Sequence, residues 1–107
     1  MPGHFADRLM AAIREKDSRV CVGIDPVPEL MPRIMLPPDG RWTEQAIFEA
    51  SDEFCSRIIR SVADHAAVVK LNSAFFEALS PLGVGLLDSL ISLAAELGLV
   101  TILDAKR

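Results

Sequence analysis

Asp104 and Lys106 stand two residues apart at the end of an apolar run, Leu99-Val100-Thr101-Ile102-Leu103. Side chains at i and i+2 of a strand leave from the same face, so an acid and an ammonium are set side by side. A fixed cation stabilises negative charge as it develops on a reacting atom, and the same cation can deliver a proton to it. Two more charged residues occupy comparable places. Lys70 lies within Val68-Val69-Lys70-Leu71, and Asp25 closes Val20-Cys21-Val22-Gly23-Ile24. Each has an ordinary reading. An Asp before Pro is a turn former, and Asp104 with Lys106 could be an ion pair closing a strand end. Lys70 is harder to assign to structure, because burying an ammonium costs several kcal/mol unless it is paired. Charged residues at three strand ends argue jointly for a site.

The elements that must position these residues alternate between two periods. Phe5, Leu9 and Ile13 recur every four residues, so residues 4–16 read as an amphipathic helix. Val20–Ile24 is a continuous apolar run, which fits a strand covered on both faces. Residues 26–42 hold five of the seven prolines (Pro26, Pro28, Pro32, Pro37, Pro38) and Gly40, and form a long loop with a brief helical turn around Glu29–Met35. From Thr43 to about Ala66 the helical period returns, with Ile47, Phe54, Ile58 and Val62 on one stripe and Thr43 as N-cap. Val68–Leu71 is the second strand and Asn72–Pro81 a loop. Leu82–Leu97 is a third helix, apolar around much of its circumference, with Gly98 placed as a C′ glycine. Leu99–Leu103 is the third strand.

Strand, helix, strand, helix, strand in this order means right-handed crossovers and a parallel sheet. An open doubly wound sheet would carry a Gly-rich phosphate turn after its first strand. Gly23-Ile24-Asp25-Pro26-Val27-Pro28 lacks that glycine spacing. Charged residues at every strand end suit a barrel, whose active sites gather on the rim formed by those ends. The expected fold is therefore α/β: the N-terminal part of a (β/α)8 TIM barrel, with three parallel strands, an N-terminal helix and two crossover helices.

At 107 residues the chain is one domain or part of one, and a whole barrel takes roughly 250 residues. The formal net charge of −4 and the scattered Lys and Arg offer no basic surface for nucleic acid. No run approaches the roughly 18 apolar residues of a membrane span. Met1–Arg8 lacks the order of a signal peptide. Cys21 and Cys55, in apolar surroundings, form neither a disulfide nor a metal pattern. A reduced cytoplasmic protein is expected. His4, His65, Trp42 and the methionines read as surface or packing residues.

Val22-Gly23-Ile24-Asp25-Pro26, then Val68-Val69-Lys70-Leu71-Asn72 running into Ala74-Phe75-Phe76-Glu77, then Leu103-Asp104-Ala105-Lys106-Arg107, together resemble orotidine 5′-phosphate decarboxylase. The likeness is to the bacterial subgroup with a long proline-bearing loop after the first strand, and it covers essentially the whole chain. The resemblance implies a homodimeric (β/α)8 barrel that converts orotidine monophosphate to UMP and CO₂ without metal or organic cofactor. It assigns Lys106 as proton donor to C6, Asp104 to the side of the departing carboxylate, and Lys70 to holding both Asp104 and the ribose. Asp25 would accept hydrogen bonds from ribose hydroxyls, and Asn72 falls in the same substrate-binding motif. The family motif continues past Arg107 with Gly-Asp-Ile, whose Asp reaches into the partner's site. Residues 1–107 thus correspond to the first three strands of one barrel domain, and a polypeptide of these residues alone is expected to be inactive.

Two other readings fit the residues less well. Mg²⁺-dependent sugar-phosphate decarboxylases and aldolases on the same barrel share the Asp-x-Lys, but Lys70-Leu71-Asn72 with Ala-Phe-Phe-Glu favours the orotidine enzyme. A non-catalytic interaction module would carry polar substitutions over the surfaces that the rest of a barrel would cover, whereas Leu86, Leu87, Leu90, Ile91, Leu93 and Leu97 leave the last helix apolar around much of its circumference.

Overall fold

The computed structural model describes residues 3–106; Arg107, the last residue of the charged motif, lies outside them. Within this range the order is helix α1 (Phe5–Lys16), strand β1 (Cys21–Ile24), helix α2 (Glu44–Val62), strand β2 (Val68–Asn72), helices α3 (Ser73–Leu79) and α4 (Gly83–Glu96), and strand β3 (Val100–Asp104). The strands form one parallel sheet in the order β1-β2-β3, as the alternating pattern predicts.

The sheet has two unlike faces. Ile24, Val69 and Leu71 pack with Cys55 and Ile59 of α2, Phe76 and Leu79 of α3, and Leu86, Leu87, Leu90 and Ala94 of α4. This is the main core, built where the two- and 3.6-residue periods meet. On the other face, α1 lays Ala12, Leu9 and Ile13 against Ala67, Val68 and Val100, at the N-terminal ends of β2 and β3. The C-terminal half of that face is left open, with Gly23 and Ile102 exposed, and Cys21 at the start of β1 is exposed as well. The expectation that β1 is covered on both faces, and that Cys21 sits in apolar surroundings, is corrected here. The inward face of β1 has little packed on it among the described residues.

Two more expectations change. Asn72–Pro81 is not a loop but contains α3, so the β2-to-β3 crossover holds two helices. Asn72 Oδ1 accepts the Ala74 N–H and caps it at 3.2 Å. The proline segment is more ordered than a loop with one turn: two 3₁₀ turns, Pro28–Leu30 and Arg33–Met35, lie against α2. The predicted caps are present. Thr43 Oγ1 accepts the Ala46 N–H at 3.0 Å, and Gly98 takes a left-handed φ of 78° after α4. Nor is α4 bare on its apolar side. Leu86, Leu87 and Leu90 are buried against its neighbours, while Asp88, Ser89, Ser92 and Glu96 face outward.

One side chain ties the floor helix to both long crossover helices. Lys16 Nζ, at the end of α1, donates to Ala63 O at the end of α2 and to Leu97 O at the end of α4. Both carbonyls carry the partial negative charge of a helix C-terminus, which favours a cation there. The ammonium also lies 3.6 Å from where a Cβ on Gly98 would stand. Lys16→Met keeps the aliphatic stem and removes the donors. It is expected to lower unfolding free energy by about 2 kcal/mol, the worth of hydrogen bonds to a charged group, read from the urea midpoint at unchanged slope.

Candidate active site at the strand tips

In a parallel sheet, register partners project from the same face. Gly23 pairs with Lys70 and Lys70 with Ile102; Asn72 pairs with Asp104. With the i, i+2 rule, Lys70, Asn72 and Asp104 belong to the face opposite the helix core, toward the C-terminal ends of the strands. Lys106, just past β3, joins them through its bond to Asp104, and Asp25, just past β1, through its carboxylate over Gly23. The sequence-derived candidates are thus brought to one place. They differ in environment. Lys70 and Asn72 are half-buried, Asp25 and Lys106 exposed. The Asp104 side chain is only 18% exposed, against 79% for Lys106.

Lys106 Nζ donates to Asp104 Oδ2, the ion pair that the two-residue spacing predicts. That hydrogen bond, more than anything else, holds the Asp104 carboxyl below its ordinary value of 3.8. Partial burial pushes the other way, and the positive charges of Lys106 and then Lys70 add to the lowering. Lys70 therefore acts on Asp104 through its charge. No hydrogen bond or ion pair joins the two among the described residues, so the direct contact implied for them is not formed in this structure. Asp25 Oδ2 leans back along its own strand, 3.9 Å from where a Cβ on Gly23 would stand. The Asn72 amide has its oxygen committed to capping α3, which fixes its orientation.

Because the folded-state pKa of Asp104 is lowered, its carboxylate stabilises the fold above the unfolded value and loses that contribution as pH falls. Stability should decline on acidification from about pH 5 downward. Asp104→Asn should flatten that decline, as urea midpoints across the range will show. An unchanged profile would mean the pair contributes nothing to folding.

Among the described residues no three His, Cys, Asp or Glu side chains gather as metal ligands do, and no helix is long and apolar enough to cross a membrane. Two clefts form without the charged row. One of about 580 Å³ runs between the proline segment and α2, and one of about 420 Å³ is lined by Pro26, Trp42, Ile47 and Phe75. Neither includes Lys70, Asp104 or Lys106. The cluster is thus an open surface here, its far side unwalled among the described residues. Sequence reasoning missed Gly23 as part of this surface; a glycine inside a strand was the available signal.

The chain resembles known proteins over nearly all its length. It is 39% identical over 103 residues to the orotidine 5′-phosphate decarboxylase of Rhodopirellula baltica, covering 96% of this chain and 34% of that protein. The enzyme of the same name from Haloarcula marismortui is 39% identical over 105 residues, again with 34% of its length covered. Among solved structures, a Toxoplasma gondii chain described as an orotidine-monophosphate decarboxylase superposes with a TM-score of 0.73 at 35% identity, over 94% of this chain and 31% of the other. A Streptomyces avermitilis chain described as an orotidine 5′-phosphate decarboxylase gives 0.71 at 28% identity, over 96% of this chain and 33% of the other. No family model matches. These superpositions make the three parallel strands and their helices a portion of a (β/α)8 barrel. The chain spans about one third of the length of these relatives, and over that shared third it is similar to orotidine 5′-phosphate decarboxylases.

Proposed function

We propose that residues 1–107 form β1 to β3 of one barrel domain of an orotidine 5′-phosphate decarboxylase, a cytoplasmic homodimer that converts orotidine monophosphate to UMP and CO₂. The observation that carries this reading is the row of Lys70, Asp104 and Lys106 on one sheet face, within a chain so similar to enzymes of that name. In this reading the bond from C6 to the carboxylate carbon breaks and its electron pair stays on C6. The Lys106 ammonium stabilises that charge as it appears and then transfers a proton to C6; solvent reprotonates the amine. No metal or organic cofactor is needed for these steps.

Asp104 has two tasks. Its hydrogen bond holds the Lys106 ammonium at one location, and that ammonium in turn favours the ionised carboxylate. A substrate carboxylate placed beside it would meet like charge, which favours loss of CO₂. Lys70 offsets the Asp104 charge and offers its donors to the ribose. Asp25 accepts from ribose hydroxyls, and the Asn72 amide nitrogen, its oxygen being engaged, is left to donate to substrate.

The test is turnover of orotidine monophosphate by the purified full-length protein, before and after EDTA. UMP formation insensitive to EDTA is expected. Absence of turnover would refute the assignment, and loss of activity restored by Mg²⁺ would favour the Mg²⁺-dependent reading. Residues 1–107 expressed alone should give no UMP; measurable turnover by them would refute the claim that the remaining barrel is required.

A further inference from the structure

Gly23 sits in the middle of β1, where a glycine costs stability relative to alanine. The usual reasons for keeping one are missing. Its φ is not left-handed, and a Cβ built on it would meet, within 4 Å among the described residues, a single atom: Asp25 Oδ2 at 3.9 Å, an ordinary contact. Neither a turn nor close packing of the described chain calls for the missing side chain. Gly23 is nonetheless on the face that carries the charged row, directly in register with Lys70, and that face is open above it. A strand glycine without a backbone reason marks a place where something approaches closely. Here the near neighbour is the Asp25 carboxylate, folded back over the gap.

We propose that Gly23 is a positioning residue of the proposed decarboxylase site. The space above its Cα lets the Asp25 carboxylate lie back toward the level of Lys70, where it can meet a substrate hydroxyl. The inference rests on the decarboxylase reading and deepens it by naming what sets the position of Asp25. A methyl group fits beneath Asp25 Oδ2, whereas the two branches of valine would occupy the carboxylate's place and turn it away. Side-chain size at position 23 therefore governs substrate affinity more than the chemical step, since Asp25 touches hydroxyls and not the reacting carbon.

The experiment uses the full-length protein with Gly23→Ala, Gly23→Val, Asp25→Asn and the Val/Asn double variant, measuring kcat, KM for orotidine monophosphate and the urea midpoint of each. Alanine should leave KM within about twofold of the parent, with equal or higher stability. Valine, a good strand former, should raise KM tenfold or more with kcat changed less than threefold and an unchanged urea midpoint. In the Asp25→Asn background the valine effect on KM should largely vanish, because both changes act through one carboxylate. An unaltered KM in Gly23→Val would overturn the proposal. So would a loss shared equally with stability, the mark of packing, or full additivity with Asp25→Asn. Absence of turnover by the parent protein would instead refute the decarboxylase reading and this inference with it.

Discussion

Lys106→Ala in the full-length protein should lower kcat for orotidine monophosphate by roughly 10³- to 10⁴-fold. Two contributions leave together: a proton donor, whose loss costs about 10² to 10⁴, and a fixed cation at the developing charge, worth about 10² to 10³. They reside on one nitrogen and do not simply multiply. KM should change far less, because Asp25, Lys70 and Asn72 retain their places on the other two strands. Removing the ammonium also leaves Asp104 without its hydrogen-bond donor. A small primary amine added to the assay should restore part of kcat by occupying the vacated space. Steady-state kinetics decide the matter. A loss below tenfold would take the proton-donor role away from Lys106.

Gly83→Ala should destabilise the fold by about 3 kcal/mol, an overpacking cost at the upper end of the usual range. The reason is a collision with main chain. A Cβ on Gly83 would lie 1.9 Å from the Phe76 carbonyl oxygen and 2.9 Å from its carbon. Phe76 is fully buried in the principal core, so α3 cannot yield without unseating it. Gly85 is the internal control. It lies two residues on in α4, exposed and with nothing within 4 Å of its built Cβ. There alanine should stabilise by up to about 1 kcal/mol through helix propensity. Urea unfolding of the two variants side by side separates packing from propensity, and equal effects would contradict the close approach of α3 and α4.

Much of this architecture can be read from the chain because the signals are local. Val68–Leu71 and Leu99–Leu103 are apolar runs bounded by polar residues, and α2 repeats Ile47, Phe54, Ile58 and Val62 on one stripe. The site is legible for the same reason. Asp104 and Lys106 are neighbours by strand geometry, and their ion pair follows from the spacing. What escaped reading is either short or long-range. The seven residues of α3 make barely two turns, too few for a period to emerge, although Asn72 before Ser-Ala-Phe-Phe-Glu-Ala-Leu is a legible cap followed by helix formers. The register that levels Gly23 with Lys70 is a tertiary fact, and so is the meeting of Lys16 with carbonyls 47 and 81 positions away.

That lysine has a consequence during protein synthesis. The second of its two acceptors emerges 81 residues after it. At the usual elongation speed of roughly 5–20 residues per second, the wait is about 4 to 16 seconds. Throughout it Leu9 and Ile13 lack Val100, one of the two valines they finally rest on. The nascent polypeptide thus carries an undocked amphipathic segment through that interval, a natural target for ribosome-associated chaperones.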